Sequence, residues 1–256
     1  MITVNIDTSG LLKLKAEMAG MGKQVAYAAS QALNAAVFKA TKDTAAEMAR
    51  VFDRPTSWVL RSVRYKKSTK ANLEAQVDFD YWGNKQGVTV SQVLRAEIFG
   101  GERRLKRFEV ALQRAGILPP GFFIVPGEAA KIDQYGNMSA GQIVQIMSWF
   151  RSFGEQGYSA NMKDGGKRLG RGSKKLGTRG FAYFVLRQKY GKLNPGVYQR
   201  FDFGKLGSSV KPVMIFVRKA NYRVRLDFYG LAERSARAEF ASQFPAMLEE
   251  AVRTAR

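Results

Sequence analysis

Apolar and polar positions along the chain alternate and recur in ways that predict its elements one after another. "ITVNI" (2–6) alternates with period two and predicts a short strand closed by "DTSG". From Leu11 to Phe52 the spacing becomes helical, with Leu11, Leu12, Leu14 and Met18 on one face and a break expected at "GMG" (20–22). After that break Val25, Ala29, Ala32, Leu33, Ala36, Val37, Ala40, Met48 and Phe52 recur mostly every three or four residues. A stripe so rich in alanine lets another backbone approach closely, so Ala29, Ala32, Leu33, Ala36, Val37 and Ala40 are expected on a packing helix, in the core or between subunits.

Pro55 suits a first helical turn, which predicts a short helix from about Pro55 to Ser62. "ANLEAQVDFDYW" (71–82) alternates Leu73, Ala75, Val77 and Phe79 with Glu74, Gln76, Asp78 and Asp80, as a strand with one wet face would. Two helical pieces broken at Gly100 and Gly101 follow, the second with Leu105, Phe108, Leu112 and Ile117 inward and Arg103, Arg104, Lys106, Arg107 and Arg114 outward. Proline and glycine clusters bracket a short apolar strand near 122–126, and Ser139 is placed to cap a helix over "AGQIVQIMSWF". "FAYFVLRQ" (181–188), "GVYQRF" (196–201) and "VKPVMIFV" (210–217) predict strands, and "YRVRLDFYG" extends the last of these or forms another. From Leu231 a terminal helix is expected, with a kink at Pro245. The layout is α+β: a mainly antiparallel sheet flanked by long N-terminal and C-terminal helices.

Composition narrows the chemistry. The 256 residues contain neither cysteine nor histidine, which removes disulfides, thiolate or imidazole metal sites and every Ser-His or Cys-His nucleophile. No catalytic residue, cofactor or metal is expected. No apolar run reaches the length of a membrane span and the N-terminus lacks a signal-peptide pattern, so a soluble product of the cytoplasm is expected. The formal charge is +21, and the excess lies mainly C-terminal: residues 1–128 hold 19 basic and 12 acidic side chains, residues 129–256 hold 23 and 9. Self-repulsion on that scale calls for a polyanion or an acidic protein surface as counterpart.

"NMKDGGKRLGRGSKKLGTRG" (161–180) concentrates that charge, with Lys163, Lys167, Arg168, Arg171, Lys174, Lys175 and Arg179 set among six glycines. It lacks the spacing by which consecutive amides and a lysine wrap a nucleotide phosphate, and instead predicts a flexible cationic arm for a polyanion or a partner. Two carboxylate groupings bear on metal binding. Asp78 with Asp80 could hold magnesium, as in a nuclease, and Asp133, Tyr135 and Asn137 could line a cation site. A solvated strand face and a structural turn are the simpler expectations. Aromatic and basic residues interleave in 187–201 and 222–229, which suits either base stacking or a sheet with one wet face.

"RPTSWVLRSVRYKKSTKANLEAQV" (54–77), "EIFGGERRLKRFEVAL" (97–112), "PGEAAKIDQYGNMSAGQIVQI" (126–146), and "NPGVYQRF" with "VKPVMIFV" (194–217) resemble segments of the minor tail protein Z, or tail completion, family of long-tailed bacteriophages and prophages. The resemblance implies a structural virion protein at the neck, the head-proximal end of the tail, with no enzymatic activity. It implies a homo-oligomeric ring following the six-fold tail, with the tail terminator, tail tube and tape-measure proteins as partners and nonspecific contact with genomic DNA. The length of the chain predicts one domain over 1–256, and the resemblance implies 1–99 and 196–256 as a common core and 100–195 as an insertion. The alternative expectation is a cytoplasmic, sequence-nonspecific nucleic-acid-binding protein.

Overall fold

A computed structural model describes residues 3–5, 22–79, 87–152, 180–202, 208–218 and 221–254. The fold is α+β with antiparallel sheets, and the chain divides into two compact units, Met1–Gly101 with Tyr222–Arg256, and Glu102–Asn221.

The first unit contains strand β1 (Thr3–Asn5), helix α1 (Gly22–Val51), the single-turn helix α2 (Ser57–Leu60), strands β2 (Val63–Lys66) and β3 (Gln76–Phe79), helix α3 (Val90–Phe99) and helix α6 (Phe228–Arg253). Its sheet runs β1-β3-β2, both pairs antiparallel. The alanine stripe of α1 is wholly buried: Ala29, Ala32, Leu33, Ala36, Val37 and Ala40 are each 0% exposed. Ala232 and Ala236 of α6 and the sheet residues Val63, Val77 and Phe79 share the core of Leu33, Ala36, Val37 and Ala40. Small side chains on both helices allow this close packing. Contact between subunits, the other expectation for these six residues, therefore gives way to packing within the chain's own unit.

Local chemistry sets the ends of these helices. Thr56 Oγ1 accepts from Val59 N at 3.3 Å to start α2, and Asp227 Oδ1 accepts from Gly230 N at 3.0 Å to start α6. That second cap corrects two expectations. Only Asn221–Tyr222 of the segment before it is a strand, and the terminal helix begins at Phe228 rather than Leu231. It continues through Pro245 to Arg253. The stretch expected to be helical from Leu11 to residue 21 lies outside the described residues.

The wet face expected on 71–82 holds at the exposed Glu74 and is corrected at Asp78. Asp78 is 8% exposed on the central strand β3, and its carboxylate accepts from Phe79 N at 2.6 Å. A second acid in this unit, Glu97 of α3, is largely buried with one oxygen lacking a hydrogen bond, and Arg225 Nε lies 3.8 Å away. Burial raises the Glu97 carboxyl above its ordinary range, and the Arg225 charge offsets this only in part.

The second unit is built on a four-stranded antiparallel sheet ordered β5-β8-β7-β6, from Phe123–Pro126 (β5), Phe181–Leu186 (β6), Gly196–Asp202 (β7) and Ser208–Val217 (β8). Helices α4 (Arg107–Arg114) and α5 (Ala140–Trp149) contribute Leu112 and Ile146 to its core, with Ile124, Tyr183, Val197, Met214 and Phe216 from the strands. Strands β4 (Gly101–Glu102) and β9 (Asn221–Tyr222) pair with each other where the chain passes from one unit to the other and back.

Residues 196–202 and 208–217, expected with the common core, form the centre of this second sheet, because β8 pairs with β5 along Phe123–Pro126 as well as with β7. The register shifts at Val197/Tyr198, skipping Val213, and this irregularity lets Pro212 sit in an inner strand. Gly196 is required there: a Cβ would overlap the Met214 carbonyl oxygen.

Arg103 was expected to point outward, yet its side chain is only 14% exposed and pairs with Glu109, which is fully buried. Arg103 Nη1 and Nη2 donate to the two carboxylate oxygens at 2.7 and 2.6 Å, and the amides of Lys106 and Ile124 donate at 2.6 and 2.7 Å. Burial pushes the Glu109 carboxyl up, but Arg103 and the two amides outweigh it and hold the group below its ordinary range.

Candidate polyanion and partner interface

The cations of the glycine-rich arm, Lys163, Lys167, Arg168, Arg171, Lys174, Lys175 and Arg179, lie outside the described residues.

In the first unit, the face of α1 opposite its alanine stripe carries Lys23, Tyr27, Gln31, Asn34, Phe38 and Lys42 at three- and four-residue spacing. The chain from β2 to Lys70 runs beside this face and is fastened to it. Ser30 Oγ donates to Ser68 O at 3.3 Å, Ser68 Oγ donates to Ser30 O at 3.1 Å, and Asn34 Oδ1 accepts from Ser68 N at 2.8 Å. The clamp sets Tyr65 against Phe38, ring centres 5.9 Å apart and edge to face, with both rings well exposed. Lys42 Nζ lies 4.4 Å from the Phe38 ring centre, and Lys70 Nζ 4.5 Å from that of the exposed Tyr27. Arg64, Lys66 and Lys67 are exposed on the same segment. This surface combines positive charge with rings held in fixed positions, the combination that grips a nucleic-acid backbone and stacks bases, or that meets an acidic protein face.

The two interleaved segments divide. Tyr198 is core, with its hydroxyl donating to Asn194 O at 2.7 Å, whereas Tyr190 is 75% exposed in the β6–β7 turn among exposed Arg187, Lys189 and Lys192. In 222–229, Leu226 is buried while Val224 is exposed, so that stretch mixes an anchor with surface.

Asp80 lies outside the described residues, and with it the Asp78–Asp80 pairing; among the described residues no group of three or more His, Cys, Asp or Glu converges. Asp133 closes a turn: its Oδ1 accepts from Tyr135 N and Asn137 N at 2.9 and 2.8 Å, and its amide donates to Asn137 O at 2.8 Å. Among the described residues no helix is long and apolar enough to cross a membrane.

Sequence reasoning missed the clamped face of α1, although "RYKK" (64–67) and the Lys23/Tyr27 and Phe38/Lys42 pairs, each four residues apart, carried its signal. It also missed the Arg103–Glu109 pair, whose signal was a glutamate three residues past a helix start. In comparisons with known proteins, no family model, curated protein or solved structure matches the chain.

Proposed function

We propose that the chain is a non-enzymatic structural protein of a tailed-phage virion, a tail completion or neck protein that makes the tail competent to join a head. The observation that carries this reading is where the family-like segments fall. Residues 54–77 include α2, β2 and the start of β3, residues 97–112 lead from the first unit into α4, and the segments within 194–217 include the paired inner strands β7 and β8. The resemblance thus lies on elements that build both units and the passage between them. A cation-rich surface with fixed rings suits a subunit that touches acidic neighbours in a ring, or the genome in the channel. The partners on this reading are the tail terminator, the tail tube, the tape measure and further copies of the chain.

The test is deletion of the gene from the phage or prophage that carries it. Full-length tails that fail to join filled heads, rescued by supply of the protein in trans, are the expected result. Normal yields of joined particles would refute the reading.

A second reading, a sequence-nonspecific nucleic-acid-binding protein acting in the cytoplasm, is favoured by the clamped face of α1 and β2. It predicts tight binding of oligonucleotides whose affinity falls steeply with salt, and a shallower slope in a Lys66→Ala/Lys67→Ala/Lys70→Ala variant. Binding with an unchanged slope in that variant would remove this face as the grip.

A further inference from the structure

In the second unit, a groove of about 610 Å³ is lined by Leu105, Arg107, Val110, Ala111, Arg114 and Ala115 together with Arg151 and Ser152. Among the described residues no carboxylate lines it, and none of its three guanidiniums has an ion-pair partner. Three independent features mark the groove as built for an anion. The turn that ends α5 is the first. Ser152 N donates to Met147 O at 2.9 Å and Arg151 N to Ser148 O at 3.1 Å, the paired bonds of a glycine-type helix stop, yet Arg151 occupies the left-handed position at φ +53. Glycine is the usual occupant of that conformation, and an arginine held in it points to a use for its side chain.

The second feature is Ser152, which is 5% exposed and whose buried hydroxyl has no hydrogen-bond partner among the described residues. A buried hydroxyl without a partner is unfavourable until a ligand supplies one. The third is Arg107, the first residue of α4, a position where the helix dipole disfavours a cation, while the first-turn Glu109 is engaged by Arg103.

We infer that this groove binds the phosphates of a nucleotide, with Arg107, Arg114, Arg151 and the Ser152 hydroxyl as ligands. Arg107 and Arg114 are seven residues apart on α4, about 10 Å along its axis, so the ligand bridging them carries at least two anionic groups. Planar guanidiniums suit phosphate oxygens, and Leu105, Val110, Ala111 and Ala115 offer an apolar wall to the rest of the molecule. Free nucleoside diphosphate and nucleotides within a single strand share this chemistry.

The experiment is calorimetric titration of the full chain, at constant ionic strength, with pyrophosphate, with ADP and with a ten-nucleotide single-stranded DNA. Three variants are compared: Arg151→Gly, Ser152→Ala and Arg200→Gln, the last an exposed arginine of β7 that does not line the groove. Arg151→Gly relieves the left-handed backbone, so its thermal midpoint should rise while it loses affinity by about tenfold or more. Ser152→Ala should lose a few-fold and Arg200→Gln almost nothing. Saturable pyrophosphate and ADP binding that depends on Arg151 identifies a free nucleotide as the ligand. Arg151-dependent binding of the DNA alone identifies the strand. Absence of binding by all three probes, or equal losses in Arg151→Gly and Arg200→Gln, would overturn the inference.

Discussion

Each unit buries a glutamate, and the two are treated in opposite ways. Glu109 in the second unit receives two hydrogen bonds from Arg103 and one each from the amides of Lys106 and Ile124. Glu97 in the first unit has Arg225 Nε only at 3.8 Å, and one of its oxygens is buried without a hydrogen bond. Burial is the largest influence on both and pushes both carboxyls up, yet Glu109 ends below its ordinary range and Glu97 above it. Removal from water alone therefore does not decide the state of an internal acid; the number and geometry of its donors does. Glu109 ties the start of α4 to β5 through Lys106 and Ile124, so it is a structural junction of the second unit. The backbone carbonyl of Glu97, rather than its carboxylate, makes the firm contact in the first, accepting from Arg225 N and Leu226 N at 2.8 and 3.2 Å.

The largest effect is expected from breaking the stronger site. Glu109→Gln leaves the Arg103 guanidinium largely buried and presents an amide nitrogen to donors, so it should destabilise the second unit by about 3–5 kcal/mol. Segment-resolved hydrogen exchange should show that loss at β5 and β8, and a change below about 1 kcal/mol would contradict the junction. Next, Arg103→Met keeps both amide bonds but removes the bidentate pair, for a loss of about 1.5–3 kcal/mol in the same measurement.

Acid titration sharpens the contrast because the two glutamates act with opposite sign. A lowered folded-state pKa means that the Glu109 contribution is complete above its unfolded value near 4.5 and is lost as pH falls through the lowered value. A raised folded-state pKa means that Glu97 lowers stability progressively as pH climbs from 4.5 through the raised value. Urea midpoints from pH 3 to 7 should therefore lose their acid-side rise in Glu109→Gln and lose the fall above pH 4.5 in Glu97→Gln. The smallest effect is Glu97→Gln at pH 7, which should stabilise the first unit by about 1 kcal/mol or less, since it removes a poorly solvated charge. A loss of stability there would show that the Arg225 pair is worth more than its geometry implies.

Much of this was legible in the chain. The alanine periodicity from Val25 to Met48, the alternation in 181–186 and the caps at Ser139 and near Pro55 are local signals, and each produced its element. Pairing between strands distant in sequence is not local, so nothing before 217 indicated that β8 joins β5 and carries β7 with it into the second sheet. Arg103 looked like surface on α4's charged side because only the fold brings Ile124 N to the same carboxylate. The groove of Arg107, Arg114 and Arg151 was invisible for a similar reason: its third guanidinium depends on how α5 ends. The cationic arm, the most conspicuous feature of the sequence, lies outside the described residues, whereas the clamped face of α1 and β2 lies within them.

The claim that the chain is a neck protein of a tailed phage is tested most directly by peptide mass spectrometry of gradient-purified particles from the phage or induced prophage that encodes it. The proposal predicts that the polypeptide is present at about six copies per particle, as a ring matched to a six-fold tail requires. Its absence from intact particles would contradict the proposal.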